Sequence, residues 1–426
     1  LLNYLTSIAR YDRGVHKSLH RVIAEAKRLN YDEMLEKPSK IAFEGKPYSQ
    51  ILDEIEAAVR KLIERCIFNE EPPDEILKNL KLTTIDTNNI AACLSYLKDV
   101  KNRVQMSNEL EAVLRALSGE YITPGPGGDL VRTPEVFPTG RNTYQLDPTN
   151  IPSDIAMDRG VKIAEECIRQ FYEKHGRYPR AVSVVLWGFE TMKTGGETIA
   201  AIFRLLGVKP VWKSIYVRDL EVIPLKELGR PRIDVLVTIC GIFRDTFYNM
   251  VELLDRAFKL VVELDEPLEW NYVKANHLQI VDELGKGELL RIFGPPDGEY
   301  ATTLTNLIET GAWKTESDLV QAYLDSMRYA YGVDVRGAEA EKIFNHLLAR
   351  VDVVAQVRDS IDYEITDLDH YYEFLGGLTR SVQQVKGEKP VVLVADTTRE
   401  KVKVEGVGEA IRRGVITRLT NPKWLD

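Results

Sequence analysis

AVSVVLWGFETMKTGGETIAAIFRLLG, residues 181–207, decides the fold. It opens on a short valine-rich run with no polar alternation, AVSVVLW (181–187). A run of that length and kind predicts a strand buried on both faces. GFETMKTGG then reads as a turn, and ETIAAIFRLL as a helix that stops at Gly207. The order repeats downstream. VWKSIYV (211–217) predicts a second strand, EVIPL a short third one weakened by Pro224, and IDVLVTIC (233–240) another buried strand. DIAMDRGVKIAEECIRQFYEKH (154–175) and TFYNMVELLDRAFKLVVEL (246–264) carry helical spacing. Buried strands alternating with helices predict βαβ units, a parallel sheet and right-handed crossovers. The expected class is α/β, with a parallel-sheet βαβ core flanked by mainly helical regions.

Outward from this core, apolar residues recur at helical spacing over 1–30, 49–68 and 87–117, with a break expected at Gly14 and a stop at EEPPDE (70–75). The expected organisation is a helical region over 1–120 and a Pro/Gly-rich loop over 121–153. An α/β domain follows over 154–300, then a second helical region over 301–385, built from 301–309, 316–331, 337–357 and 369–384. PVVLVAD (390–396) and a helix near 405–417 then read as the start of a further strand–helix unit, over 386–426. The chain begins at Leu1 rather than a methionine, which suggests a multi-domain fragment of something longer.

The formal net charge of -9 argues against nucleic-acid binding and against a polybasic membrane contact. No run of eighteen apolar residues is present, so no membrane insertion is expected, and no signal peptide is visible. The four cysteines are widely spaced without a CxxC pair, which excludes a disulfide scaffold and a standard zinc site. Neither GxxxxGK[ST] nor GxGxxG occurs, and GxSxG and HExxH are also missing. His16 and His20 read as an exposed helix face rather than a metal pair.

Several segments group polar residues. ITPGPGGDLVRTPEVFPTGRN (122–142) combines four prolines and four glycines with Asp129, Arg132, Glu135 and Arg141. Proline stiffens such a loop and glycine permits close backbone approach, so it suits either a cleft lining or a strap with solvated charges. Lys193, Gly195 and Gly196 stand where a helix begins, a place for an anion or only a tight turn. Arg244 and Asp245 sit at another helix start, where Asp245 or Thr246 would serve as a cap. Glu263, Asp265, Glu266 and Glu269 accompany His277, and Asp362, Glu364, Asp367, Asp369, His370 and Glu373 form a second acidic group. Neither matches a standard ligand spacing.

PGPGGDLVRTPEVFPTGRNTYQLDPTNIPSDIA resembles the signature of the large, porphyrin-binding subunit of magnesium chelatase and cobaltochelatase, PGPxGDxxRNPxVxPTGxNxxxxDPxxIP. Thr133 replaces the commoner asparagine, and Thr143–Tyr144 stand where the family often has Ile–His. LWGFETMKTGGETIAAIFRLLGVKP, RPRIDVLVTICGIFRDTFYNMVELLDRA, ELDEPLEWNYVKANHL and RIFGPPDGEYATTLTNLIETGAWKTESDLVQAYLDSMRYAYG follow in the family's order. DSIDYEITDLDHYYEFLGGL and NPKWLD lean toward the cobaltochelatase branch. The match is collinear over most of residues 110–426.

The resemblance implies ATP-dependent insertion of a divalent metal, cobalt or magnesium, into a tetrapyrrole in the cytoplasm. It further implies that ATP and its Mg are used by separate AAA+ ATPase subunits rather than by this chain. Chelation needs a base for two pyrrole N–H protons, oxygen or imidazole groups that strip water from the metal, and donors for the macrocycle's carboxylates. Glu120, Asp129, Glu135 and His277 are the candidates for base and metal delivery. Arg132, Arg141, Asn142, Lys193, Gly195, Gly196 and Arg244 are the candidates for substrate binding; no metal ligand set is assigned. A non-catalytic tetrapyrrole-binding or sensing protein of the same fold is the alternative, and an unrelated α/β sugar- or nucleotide-binding enzyme a more distant one.

Overall fold

The computed structural model describes residues 1–12, 16–42, 45–79, 86–106, 108–128, 130–131, 133–144, 147–213, 216–285, 287–360, 363–399 and 401–419. The chain divides into two compact units, Leu1–Leu146 and Asp147–Asp426.

The first unit is helical, as its periodicity predicts. Helices Leu2–Ile8, Leu19–Ala26, Tyr31–Glu36, Tyr48–Ile63 and Thr87–Gln105 turn Leu5, Ile23, Ile55, Val59, Leu62 and Leu97 into one core. Their starts follow from side chains that accept an otherwise orphan backbone N–H: Ser18 from Arg21, Asn30 from Glu33, and Asp86 from Asn89. Gly14, where a break was expected, lies outside the described residues. His20 is a correction: it is buried, not part of an exposed face, with Nε2 2.7 Å from Glu56. Strands β1 (Pro124–Pro126) and β2 (Asn142–Tyr144) pair in parallel and close the Pro/Gly-rich loop on itself.

In the second unit, the helix Asp154–His175 leads into β3 (Ala181–Leu186). A hairpin, β4 (Val208–Lys213) and β5 (Tyr216–Val222), follows, then β6 (Asp234–Ile239) and β7 (Ile292–Gly294). Next come β8 (Tyr329–Tyr331), β9 (Arg336–Glu339), β10 (Val351–Arg358), β11 (Val391–Asp396) and β12 (Lys403–Gly406). The main sheet has eight strands in the order β12-β11-β10-β3-β6-β7-β8-β9. Its five central strands are mutually parallel, and β12, β8 and β9 join antiparallel at the two edges. Every residue of β3, β6 and β10 is buried, the pattern of strands covered on both faces. The α/β class is therefore as expected.

Five readings change, the first at 316–331, which holds the helix Glu316–Met327 followed by β8 rather than one helix. GFETMKT is a helix, Gly188–Thr194, rather than a turn, and only Gly195 and Gly196, both at positive φ, interrupt the chain before the helix Glu197–Leu206. VWKSIYV and EVIPL are not two strands of the main sheet; they straddle the separate β4–β5 hairpin. The stretch 337–357 is not one helix. It holds part of β9, the helix Glu341–Leu348 and most of β10, because Phe344, Leu347, Leu348 and Val351 continue a helical spacing into a strand. Finally, β11 and β12 do not open a further unit: β11 is hydrogen-bonded to β10 and completes the sheet.

Candidate functional site at the switch point of the sheet

From β3 the chain builds outward through β6 to β7, then returns to lay β10 and β11 on the other side of β3. The direction of winding therefore reverses between β3 and β10. In open α/β sheets the loops at the C-terminal ends of such a pair diverge and leave a crevice for a ligand. Residues that follow Leu186 of β3 and Arg358 of β10 meet at this place.

Trp187 follows β3, and its ring centroid lies 4.3 Å from that of His370 and 4.9 Å from that of Phe374. Lys193, in the last turn of the helix after β3, pairs at 3.2 Å with Asp359, the residue after β10. Below them Glu190 is 6 % exposed. Its Oε1 accepts a hydrogen bond from the Thr194 hydroxyl at 3.0 Å. Burial first, then the charges of Asp359 and Glu197, push the Glu190 carboxyl up to about 8. Burial also lowers His370, so its imidazole favours the neutral form, and raises Tyr371, whose phenol keeps its proton.

Glu197 is 2 % exposed and pairs through Oε1 with Arg159, whose guanidinium also donates to the Thr397 carbonyl after β11 at 2.7 Å. Its second carboxylate oxygen, like the indole nitrogen of Trp187, has no hydrogen-bond partner among the described residues. Beside them Arg358 bridges Asp396 at 2.8 Å and Glu364 at 3.1 Å. Burial alone would raise Asp396, but the Thr398 hydroxyl and Arg358 hold it below the usual carboxylate range. The crevice floor is thus one protonatable acid inside a frame of paired charges.

The residues predicted from sequence fall in several places. Lys193 is at the crevice. Gly195 and Gly196 support it by close packing: an added Cβ would meet Ser153 Oγ at 2.9 Å and Ile151 Cγ2 at 2.6 Å. The helix start there is capped by the Thr194 hydroxyl, which accepts from the backbone N–H of Gly196 and Glu197, both at 3.2 Å. Arg244 is buried and donates to the carbonyls of Pro295, Pro296 and Glu299, so it anchors the 295–299 loop. Its helix begins at Gly241 and is capped by Cys240, not by Asp245 or Thr246. His277 lies on the helix Tyr272–Leu284, near Asp234 and Arg291 at the N-terminal edge of the sheet. Strand β6 separates that edge from the crevice by its six residues, roughly 20 Å.

In the first unit, Glu135 accepts from the Tyr96 hydroxyl at 2.8 Å. Arg141 donates to the carbonyls of Pro138 at 3.1 Å and Val136 at 2.7 Å, and Asn142 to that of Ile122 at 3.1 Å. Glu120 pairs with Arg115 at the surface at 3.0 Å. Asp129 and Arg132 lie outside the described residues. Glu190, Asp359 and His370 form the crevice together with Lys193, yet sequence reasoning assigned a role only to Lys193. Among the described residues, no three His, Cys, Asp or Glu side chains converge as a ligand set for a metal ion.

A mostly parallel sheet with buried ionisable residues gathered beyond β3 and β10 defines an α/β protein of the open-sheet class, in which ligands as a rule bind beyond the strand C-termini. The family model for CobN/Magnesium Chelatase matches residues 1–426. The chloroplastic magnesium-chelatase subunit ChlH of Oryza sativa subsp. indica is 33% identical over 454 residues, covering 99% of this chain and 33% of that protein. The aerobic cobaltochelatase subunit CobN of Sinorhizobium sp. is 36% identical over 332 residues, covering 75% of this chain and 26% of that protein. The solved catalytic subunit of cobaltochelatase from Mycobacterium tuberculosis superposes with a TM-score of 0.84 at 34% identity, over 99% of this chain and 35% of that one. The chain belongs to the CobN/magnesium chelatase family and spans about a third of the length of such relatives. No described helix is long and apolar enough to cross a membrane.

Proposed function

We propose that this chain forms part of the tetrapyrrole-binding catalytic subunit of a metal chelatase that inserts cobalt, or magnesium, as its substrate metal. The family match over residues 1–426 is the observation that carries this reading. In this reading ATP is hydrolysed by separate AAA+ subunits, the protein works in the cytoplasm, and the product is a metallated ring. Two N–H protons leave for each divalent metal that enters. Glu120, just before the loop, and Asp129 and Glu135 within it remain candidates for base and metal delivery, and Arg132 a candidate for a macrocycle carboxylate. The crevice beyond β3 and β10 adds neutral and charged acid–base groups suited to proton traffic.

The test mixes the full-length subunit, its ATPase partners, ATP, a free-base tetrapyrrole and cobalt or magnesium, and follows the absorbance of the metallated product. Product that requires all components supports the reading. Tryptophan quenching by the tetrapyrrole without metallation by any partner would instead identify a sensing protein.

A further inference from the structure

We propose that Glu190 is the proton carrier of the crevice, taking up protons released by a bound N–H acid and passing them on to water. This rests on the chelatase reading for the identity of the acid, a tetrapyrrole, but not for the behaviour of the carboxyl itself.

Three observations support it. Glu190 sits at the switch point, in the first turn after the central strand, where the fold places a ligand. It is almost fully enclosed and, among the described residues, has no cationic partner. Lys193 on its own helix is turned to Asp359, and the Arg159 guanidinium is turned to Glu197. Its oxygens are met by hydroxyls only, from Thr194 at 3.0 Å and Thr191 at 3.5 Å. Hydroxyls bond to a carboxyl in either protonation state, so the site tolerates both. The charges that face Glu190 from neighbouring elements are Asp359 after β10 and Glu197 on the next helix. Tyr371, near the same acids, stays protonated. The charge of Asp359 also acts on His370, so one carboxylate influences both the buried acid and the half-buried imidazole. A buried acid that titrates near neutral pH is matched to proton transfer.

The proton balance is simple. An N–H bond of the macrocycle breaks, its electron pair passes to the forming metal–nitrogen bond, and the proton goes to the ionised Glu190 carboxylate. Glu190 then releases it to water. Two such transfers accompany one divalent metal. Because Glu190 receives the proton directly from the N–H acid, it is a catalytic residue in this proposal.

Two measurements on the full chain and its holo-complex test this. First, infrared difference spectra of the wild-type chain across a pH titration should show a protonated-carboxyl stretch that disappears through about pH 8 and is missing in Glu190→Gln. A band that is missing in the wild type, or that persists in Glu190→Gln, overturns the proposal whatever the protein's reaction. Second, in the assembled chelatase, Glu190→Gln should lower kcat about 100-fold with KM for the tetrapyrrole unchanged, and should remove the ionisation near pH 8 from the rate profile. Glu190→Asp should restore part of the rate with a displaced profile. A wild-type kcat and pH profile in Glu190→Gln would also overturn it. If the wild-type assembly makes no metallated product, the chelatase reading fails instead, and the infrared titration alone decides the role of Glu190.

Discussion

The helix Asp154–His175 and the helix Glu197–Leu206 meet at Gly160, and replacing that residue with alanine gives two effects of opposite sign. Within a helix, alanine is favoured over glycine by about 1 kcal/mol, so propensity alone predicts a more stable protein. Packing predicts the reverse. A methyl at position 160 would lie 2.4 Å from Ala200 Cβ, 2.6 Å from the Ala201 nitrogen and 2.7 Å from the Glu197 carbonyl oxygen. Two of these three obstacles are backbone atoms of a helix held against β3 and β6, so they cannot rotate away. Overpacking of this kind costs about 1–3 kcal/mol, and immovable neighbours place it near the top, at about 3 kcal/mol. The net loss is then about 2 kcal/mol, or a Tm lower by about 3 °C for a unit the size of Asp147–Asp426. Thermal unfolding followed by circular dichroism of Gly160→Ala measures it directly. An unchanged or raised Tm would show that propensity wins and that the helices do not approach so closely. Because Glu197 is one of the obstacles, the variant should also disturb the Arg159 pair at the crevice floor.

Two further outcomes follow from buried charge. Arg291 and Asp234, each 1 % exposed, pair at 2.9 Å, and Asn276 also donates to Asp234 at 2.9 Å. Arg291→Leu should cost about 3–5 kcal/mol by urea denaturation, while the Asp234→Leu, Arg291→Leu double variant should recover most of it. Glu190 holds its proton up to about pH 8 when folded, against 4.5 for the ordinary carboxyl. Its contribution to stability is therefore fully present below about pH 4.5 and lost as pH rises toward about 8. Glu190→Gln should accordingly gain stability relative to wild type across that window, and a difference independent of pH would contradict the buried carboxyl.

Strands β3, β6 and β11 were legible because each is a short valine-rich run bounded by turn residues, too brief for a helix. The bounds of the helix Asp154–His175 were legible from its spacing; in the structure Ser153 caps it and Gly176 ends it. Strand β10 was not. Ile343, Phe344, Leu347 and Leu348 keep helical spacing and Val351 extends it, so periodicity ran through the boundary and the central strand was absorbed into a helix. Losing β10 also hid the reversal of strand order, and with it the meaning of Asp359. Glu190 was overlooked for a related reason: GFETMKT looked like a turn, where an acid is expected to be solvated. The one local signal was its place just beyond a fully buried strand. Arg244 and His277 were attractive as chemical groups, but sequence does not show that the first is committed to carbonyls or that the second lies at the far edge of the sheet.

The Pro/Gly-rich loop carries its own clamp in Arg141, whose guanidinium occupies the space that a side chain at Gly125 would fill, with Cδ 2.5 Å from the site of the missing Cβ. A methyl at position 125 evicts that guanidinium from the carbonyls of Val136 and Pro138. The two positions are therefore coupled within the fold: with arginine at 141, any side chain at 125 must first displace the guanidinium that holds the loop's two ends in register.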